Sequence, residues 1–286
     1  MVTSYAEKVS RFHKLHQAPP ILVLPNAWDV CSARIFSILG FEAIGTTSAG
    51  IANCLGFRDG ENIPLDEMLL MIKRIVAAVD LPVTADFEAG YTDDLAELSK
   101  NIRSAIDMGV VGINLEDSFA SGGLRDSGLQ AQKIKAVRAA ASSAGVDLFI
   151  NARIDTYLRG IGEARDRLRD TLDRARTYKS AGANGIFVPG VTEEREIETL
   201  AKEIPAPVNV LAIADAPPVG VLEKLGIARV SVGSGPARAC ATLMQRIGTE
   251  LIKCGTYDSF TKNAMSHKEL NAVIAANSGD RQLKHC

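Results

Sequence analysis

The chain has 286 residues, of which 47% are hydrophobic and 23% charged, with a formal net charge of -2. So even a balance leaves no basic footprint, which excludes nucleic acid and an anionic membrane surface as main partners. The five cysteines, Cys31, Cys54, Cys240, Cys254 and Cys286, are odd in number and form no CxxC pair, which argues against a disulfide framework or a structural zinc site and fits a reducing cytoplasm.

The first sixteen residues mix Glu7, Lys8, Arg11 and Lys14 with apolar positions at helical spacing, so no signal-peptide apolar block is expected. No run approaches the length that spans a bilayer. From there, short β-rich runs alternate with longer amphipathic ones. Strands are predicted at 21–24, 43–47, 82–86, 112–116, 148–152, 185–188, 208–212 and 229–232. Helices are predicted at 29–39, 65–79, 95–108, 129–144, 161–181, 193–204, 219–225 and 236–253, several of them ending in a glycine suited to a left-handed C-cap: Gly40, Gly109, Gly145, Gly182 and Gly226.

Strands alternating with helices imply βαβ units and a parallel sheet covered on both faces. Eight such units favour a closed (β/α)8 TIM-type barrel over an open doubly wound sheet. No composition break marks a second domain, so 1–286 reads as one barrel domain. Residues 256–286 form a helical extension whose apolar positions, Tyr257, Phe260, Met265 and Leu270, need a burial partner: the chain's own barrel or another subunit. The last residues, 278–286, read as frayed.

Two strand ends carry the chemistry. Thr84-Ala85-Asp86-Phe87-Glu88-Ala89-Gly90-Tyr91 runs an apolar strand into two carboxylates, and Gly112-Ile113-Asn114-Leu115-Glu116-Asp117 does so again. Carboxylates at the ends of buried parallel strands are costly to desolvate, so they commonly hold a metal or move a proton. Oxygen donors of this kind suit a hard divalent cation that keeps several waters. Strand alternation would point Glu88 the same way as Asp86. Arg153, at another strand end, fits a bidentate clamp on a carboxylate, or else it neutralises Asp155 or Glu116. Trp28 reads as an apolar wall or a core plug, and Asn26, Tyr91 and Asn209 as substrate contacts or structural bonds. The Gly233-Ser234-Gly235 turn lacks the third glycine of a dinucleotide fingerprint. All four histidines, His13, His16, His267 and His285, lie near the termini, away from the strand ends.

Taken together and in order, Leu24-Pro25-Asn26-Ala27-Trp28-Asp29, Gly45-Thr46-Thr47-Ser48-Ala49-Gly50, Asp86-Phe87-Glu88-Ala89-Gly90-Tyr91, Glu116-Asp117 and Asn151-Ala152-Arg153 resemble the isocitrate lyase/phosphoenolpyruvate mutase superfamily. The resemblance implies a magnesium-dependent barrel that makes or breaks a C–C or P–C bond beside an α-oxo acid through a pyruvate-type enolate. It implies Asp59, Asp86, Glu88 and Glu116 as metal carboxylates binding Mg²⁺, with Mn²⁺ as the substitute ion. Substrate-binding positions implied by it are Ser48, Ala49, Gly50 and Arg153, to which the residue readings above add Trp28 and Asn209, and the catalytic positions are Arg153, Glu116 and Asp59. It further implies a homodimer or homotetramer built through a swapped C-terminal helix.

The chain departs from the family after Glu116-Asp117. Isocitrate-type lyases carry Lys-x-Cys-Gly-His there, whereas this chain reads Ser118-Phe119-Ala120-Ser121-Gly122-Gly123-Leu124-Arg125-Asp126. Without the thiol, isocitrate cleavage lacks its proton donor. Decarboxylation, or retro-aldol or retro-Claisen cleavage, of a small α-oxo or α-hydroxy dicarboxylate such as oxaloacetate or a substituted malate still runs on enolate stabilisation. Gly122, Gly123 and Gly128 suggest a mobile flap over it, and Arg125 a shifted positive charge. Two other readings stay open: P–C chemistry on phosphonopyruvate, and a catalytically silent barrel that binds an oxo acid.

Overall fold

The computed structural model describes residues 3–262 and 264–276. The expectation for 278–286, and with it His285 and Cys286, lies outside the described residues. The parallel strands are β1 (Leu22–Leu24), β2 (Asn26–Ala27), β3 (Ile44–Thr46), β4 (Val83–Asp86), β5 (Gly112–Glu116), β6 (Phe149–Arg153), β7 (Gly185–Val188), β8 (Val208–Leu211) and β9 (Arg229–Ser231). The helices are α1 (Tyr5–Lys14), α2 (Val30–Ile38), α3 (Ser48–Cys54), α4 (Leu65–Ala78), α5 (Leu95–Asp107), α6 (Ser127–Ser143), α7 (Ala164–Ser180), α8 (Glu194–Glu203), α9 (Val219–Lys224), α10 (Gly235–Lys253), α11 (Asp258–Thr261) and α12 (His267–Ala275).

The strand order β1-β9-β8-β7-β6-β5-β4-β3-β2 is that of a (β/α)8 barrel with its first stave in two pieces. Pro25 makes the break. It has no N–H to give to the ladder, so β1 pairs with β9 through Leu22 and Arg229, and β2 pairs with β3 through Asn26 and Gly45. The Pro25 carbonyl still accepts from the Gly45 N–H at 2.9 Å, which keeps the stave on the ring.

Outward-facing strand residues such as Ile44, Val83, Ile113, Ile150, Ile186 and Val230 pack in one cluster with helix residues such as Ile72, Leu98, Ile134 and Leu200. This apolar layer between sheet and helices follows from strands buried on both faces. The inward positions are more polar. Thr84, Asn114, Asn151, Asn209, Arg229 and Ser231 are all buried, and the Asn151 amide donates to Asn114 Oδ1 at 2.9 Å. Helix α1 closes the floor, where Phe12 and His16 pack on the Phe149 ring.

The five glycines expected to cap helices all have positive φ, from 71° at Gly145 to 110° at Gly182. Helix α6 begins at Ser127, two residues before the expected start, because the Asp126 carboxylate accepts from the Gly128 and Leu129 N–H groups. Gly128 therefore belongs to a helix and not to the flap. The tail is not one helix but α11 and α12. Arg34 on α2 donates to the carbonyls of Ile274 and Ala276, so α12 rests on its own barrel. Helix α10 buries none of its residues and exposes Leu243, Met244, Leu251 and Ile252, the last to 87%. Among the described residues no helix is long and apolar enough to cross a membrane.

Candidate active site

The mouth is built from the C-terminal ends of β3, β4, β5 and β6. Strand β4 delivers Asp86, whose N–H donates to Thr46 Oγ1 at 3.0 Å. Its Oδ2 accepts from the Ser48 N–H at 3.2 Å and hydroxyl at 3.0 Å, and its Oδ1 from the Asn114 amide at 3.3 Å. The Ser48 hydroxyl also lies 3.2 Å from Asp59 Oδ1. The long loop after α3 thus brings Asp59 to the strand ends.

Glu88 reaches the same region by another route than strand alternation. β4 ends at Asp86, and Glu88 takes φ +49°, a left-handed turn in the backbone. The turn is laced down by Glu61: its own N–H donates to Glu88 Oε2 at 2.6 Å, while its Oε1 accepts from the N–H groups of Ala89 and Tyr91. The Tyr91 hydroxyl donates to Glu88 Oε1 at 3.3 Å. Burial, then the charges of Asp59, Asp86 and Glu116, push the Glu88 carboxyl up to about 8. Burial and Asp86 raise Asp59 as well.

Strands β5 and β6 supply the opposite wall. Glu116 Oε2 meets Arg153 Nη1 at 2.7 Å and Oε1 accepts from the Ser118 hydroxyl at 2.9 Å. Arg153 Nε and Nη2 fork onto Asp155 at 2.6 and 2.9 Å. Burial disfavours the guanidinium charge, but Glu116, Asp155 and Asp86 together outweigh it and raise Arg153 above its ordinary value. Asp117 faces away, into a buried set with Arg174, the Tyr178 hydroxyl and the Asp155 N–H.

The site therefore gathers Ser48, Asp59, Asp86, Glu88, Glu116 and Arg153. Trp28 is half-buried beside Gly50, where an added Cβ would meet its own at 2.8 Å. The expected substrate-binding positions Ser48, Ala49 and Gly50 do not all keep an open backbone N–H. That of Ser48 donates to Asp86 and that of Gly50 to Thr47 Oγ1, leaving Ala49 as the free one among the described residues. Asn209 is held inside the barrel by Ser231, and none of its bonds reaches the carboxylates. Arg125 is spent elsewhere: it pairs with Asp93, donates to the Ser118 carbonyl and stacks over Phe119. The flap itself is a small hairpin, with Ser118 bridged to Leu124 and positive φ at Gly122 and Gly123.

Thr46, Glu61 and Asn114 were not among the expected site residues. Asn114 had a signal, standing two positions before Glu116 and so on the same strand face; Glu61 had none beyond following Gly60 in a turn.

The donor set fits a hard divalent cation. Its side chains offer only oxygen, and several like charges crowd one mouth with a single arginine between them and neutrality. Among the described residues no three His, Cys, Asp or Glu side chains close around one point. An ion here would be anchored by one or two carboxylates and keep waters, as Mg²⁺ does.

Comparison with known proteins agrees with this geometry. The family model of phosphoenolpyruvate phosphomutase matches residues 12–252. The chain belongs to the isocitrate lyase/phosphoenolpyruvate mutase superfamily. An uncharacterized Mycobacterium tuberculosis protein is 38% identical over 80% of this chain and 83% of its own length. The 2-methylisocitrate lyase of Bacillus subtilis is 28% identical, covering 96% and 91%. A solved structure from Burkholderia cenocepacia J2315, named only by inference as a lyase/mutase, superposes with TM-score 0.88 at 35% identity over 95% and 97%. The superfamily relatives whose activity is named are lyases and mutases, and the protein is an enzyme of that kind.

Proposed function

We propose that this protein is a Mg²⁺-dependent carbon–carbon lyase acting on a small α-oxo or α-hydroxy dicarboxylate, oxaloacetate or a substituted malate, by decarboxylation or retro-aldol or retro-Claisen cleavage. The observation that carries the reading is the mouth itself: a carboxylate group on Asp59, Asp86 and Glu88 facing the Arg153–Glu116 pair, under a flap with no lysine, cysteine or histidine.

Asp86 and Asp59, steadied by Ser48, would hold the ion, with Glu88 and Glu116 gripping its waters. Bound there, it would draw off the negative charge that grows on the oxo oxygen as the bond breaks. Beyond the Nη2 hydrogen bond to Asp155 and the Nη1 ion pair with Glu116, Arg153 keeps N–H groups on its Nη atoms, and these orient a substrate carboxylate. The Ala49 N–H adds one neutral donor. Loss of CO2 needs no acid on the leaving group, so a flap without a thiol is no obstacle. Phe119 and the hairpin turn would exclude water from the carbanion when the flap is down.

Pyruvate release from oxaloacetate and 2-alkylmalates, measured with and without EDTA, tests this. Turnover indifferent to EDTA removes the mechanism, and phosphate release from phosphonopyruvate moves the activity to P–C chemistry. The unburied apolar face of α10 supports assembly into a homodimer or homotetramer by exchange of that helix, and light scattering that finds a monomer at working concentration rejects it. A cytoplasmic setting accords with Cys31, Cys54, Cys240 and Cys254 all being free.

A further inference from the structure

A dicarboxylate presents a second carboxylate beyond the reacting centre, and the flap root must decide whether that charge is welcome. Arg125, Lys133 and Arg174 are already committed: to Asp93, to Asp93 and the Thr92 carbonyl, and to Asp117 and Asp170 respectively. Arg153 gives its bidentate edge to Asp155.

Arg159 differs. Its Nε stands 3.7 Å from Asp155 Oδ2, an oxygen that already accepts from Arg153 Nη2 at 2.9 Å. Its Nη2 donates only to a neutral partner, the Ser118 hydroxyl, at 3.2 Å. The side chain is 32% exposed, against 15% for Arg153. The same Ser118 hydroxyl donates to Glu116 Oε1, so one oxygen atom separates the Arg159 head from the catalytic wall. Ser118 is also the first residue of the flap hairpin. A guanidinium that is loosely compensated, partly wet and tied to the flap root is a receptor for an anion arriving from the reacting centre.

We infer that Arg159 binds the distal carboxylate of the substrate and selects dicarboxylates over monocarboxylates of equal length. This rests on the lyase reading above and names its substrate class. It also assigns the positive charge at the flap to the loop after β6 instead of to Arg125.

The test compares oxaloacetate with 2-oxobutyrate, the same carbon count without the second carboxylate, as ligands of the Mg²⁺-loaded protein, with oxalate as the control that reports only the reacting end. The wild type is expected to favour oxaloacetate, and Arg159→Gln to lose about 10- to 100-fold of that preference while oxalate affinity stays within about 2-fold. Arg159→Lys is expected to recover part of the preference, which a merely structural role for the side chain would not produce. Equal loss for all three ligands, or an unchanged preference in Arg159→Gln, overturns the assignment to Arg159 alone. Failure of the wild type to bind oxalate overturns the lyase reading, and this subsite with it.

Discussion

Arg153 and Asp155 face each other as a fork on a fork, Nε to Oδ1 at 2.6 Å and Nη2 to Oδ2 at 2.9 Å, with the aspartate fully buried. The pair holds the guanidinium in one plane, so Asp155 acts on substrate through the arginines it orients, Arg153 by the fork and Arg159 through the 3.7 Å contact of its Nε with Oδ2. Asp155→Asn leaves the buried Arg153 charge with Glu116 as its remaining ion-pair partner at 2.7 Å and is expected to cost about 2–3 kcal/mol of unfolding free energy, below the loss for a buried ion with no partner at all. Urea denaturation checks it, and a loss under 1 kcal/mol would mean Glu116 alone suffices to hold the arginine. Arg153→Lys keeps the charge but cannot bridge both carboxylates, so kcat/KM is expected to fall by at least about 100-fold with the fold intact.

Ser48 supports Asp86 with two hydrogen bonds while sharing its hydroxyl with Asp59. Ser48→Ala removes the hydroxyl and keeps the backbone bond. Removal of such a supporting group is expected to weaken Mg²⁺ binding by about 10- to 100-fold, and Asp86→Asn to weaken it further. Isothermal titration with Mg²⁺ in the presence of oxalate measures both; equal affinity for wild type and Asp86→Asn would place the ion elsewhere.

His16 lies buried on the Phe149 ring with Nδ1 2.8 Å from the Phe12 carbonyl. A carbonyl only accepts, so Nδ1 carries a proton, while Nε2 is buried with no partner among the described residues. Burial, and next the Arg229 charge, lower the imidazole to about 3 from its ordinary 6.5. The unfolded chain therefore binds a proton that the folded chain refuses between those values. The contribution is fully present above pH 6.5 and is lost progressively as pH falls toward 3. His16→Phe is expected to flatten the stability profile across that window, and a profile as steep as the wild type's would show that other groups control acid unfolding.

Arg229 is 0% exposed, donates through Nε to the Ser231 hydroxyl at 2.9 Å, and has no partner for Nη1 or Nη2 among the described residues. Burial lowers its guanidinium to about 9. Replacing an ill-compensated buried ion with an apolar chain of similar size is often stabilising, so Arg229→Met is expected to gain about 1–4 kcal/mol. A thermal scan that shows loss instead would mean the barrel axis depends on that charge.

Much of this architecture can be read from the chain, for a physical reason. The eight parallel staves, covered on both faces, appear as short apolar runs such as Gly185–Val188, and the glycines after the helices mark where the backbone turns left-handed. What escapes is local or depends on the fold. Helix α3 has seven residues, too few for an amphipathic pattern, and it depends on the Thr47 cap. The stave break at Pro25 is invisible until both neighbours are known. At the site, Asp86, Glu116 and Arg153 were legible as polar residues ending apolar strands. The left-handed turn at Glu88 and its lacing by Glu61 were not, because the sequence separation of 27 residues carries no periodic signal. Nor does the chain reveal that Arg125 is committed and Arg159 is not; that choice belongs to partners far away along it.

The broken first stave sets a rule for biosynthesis. β1 waits for β9, so residues 22–24 have no ladder partner on that side until the stretch through Ser231 has left the ribosome. Until then the growing sheet has two raw margins of the kind that recruit stray strands. Fragments ending upstream of Arg229 are accordingly expected to clump where the longer chain folds, because Leu22 then lacks the strand that closes the ring.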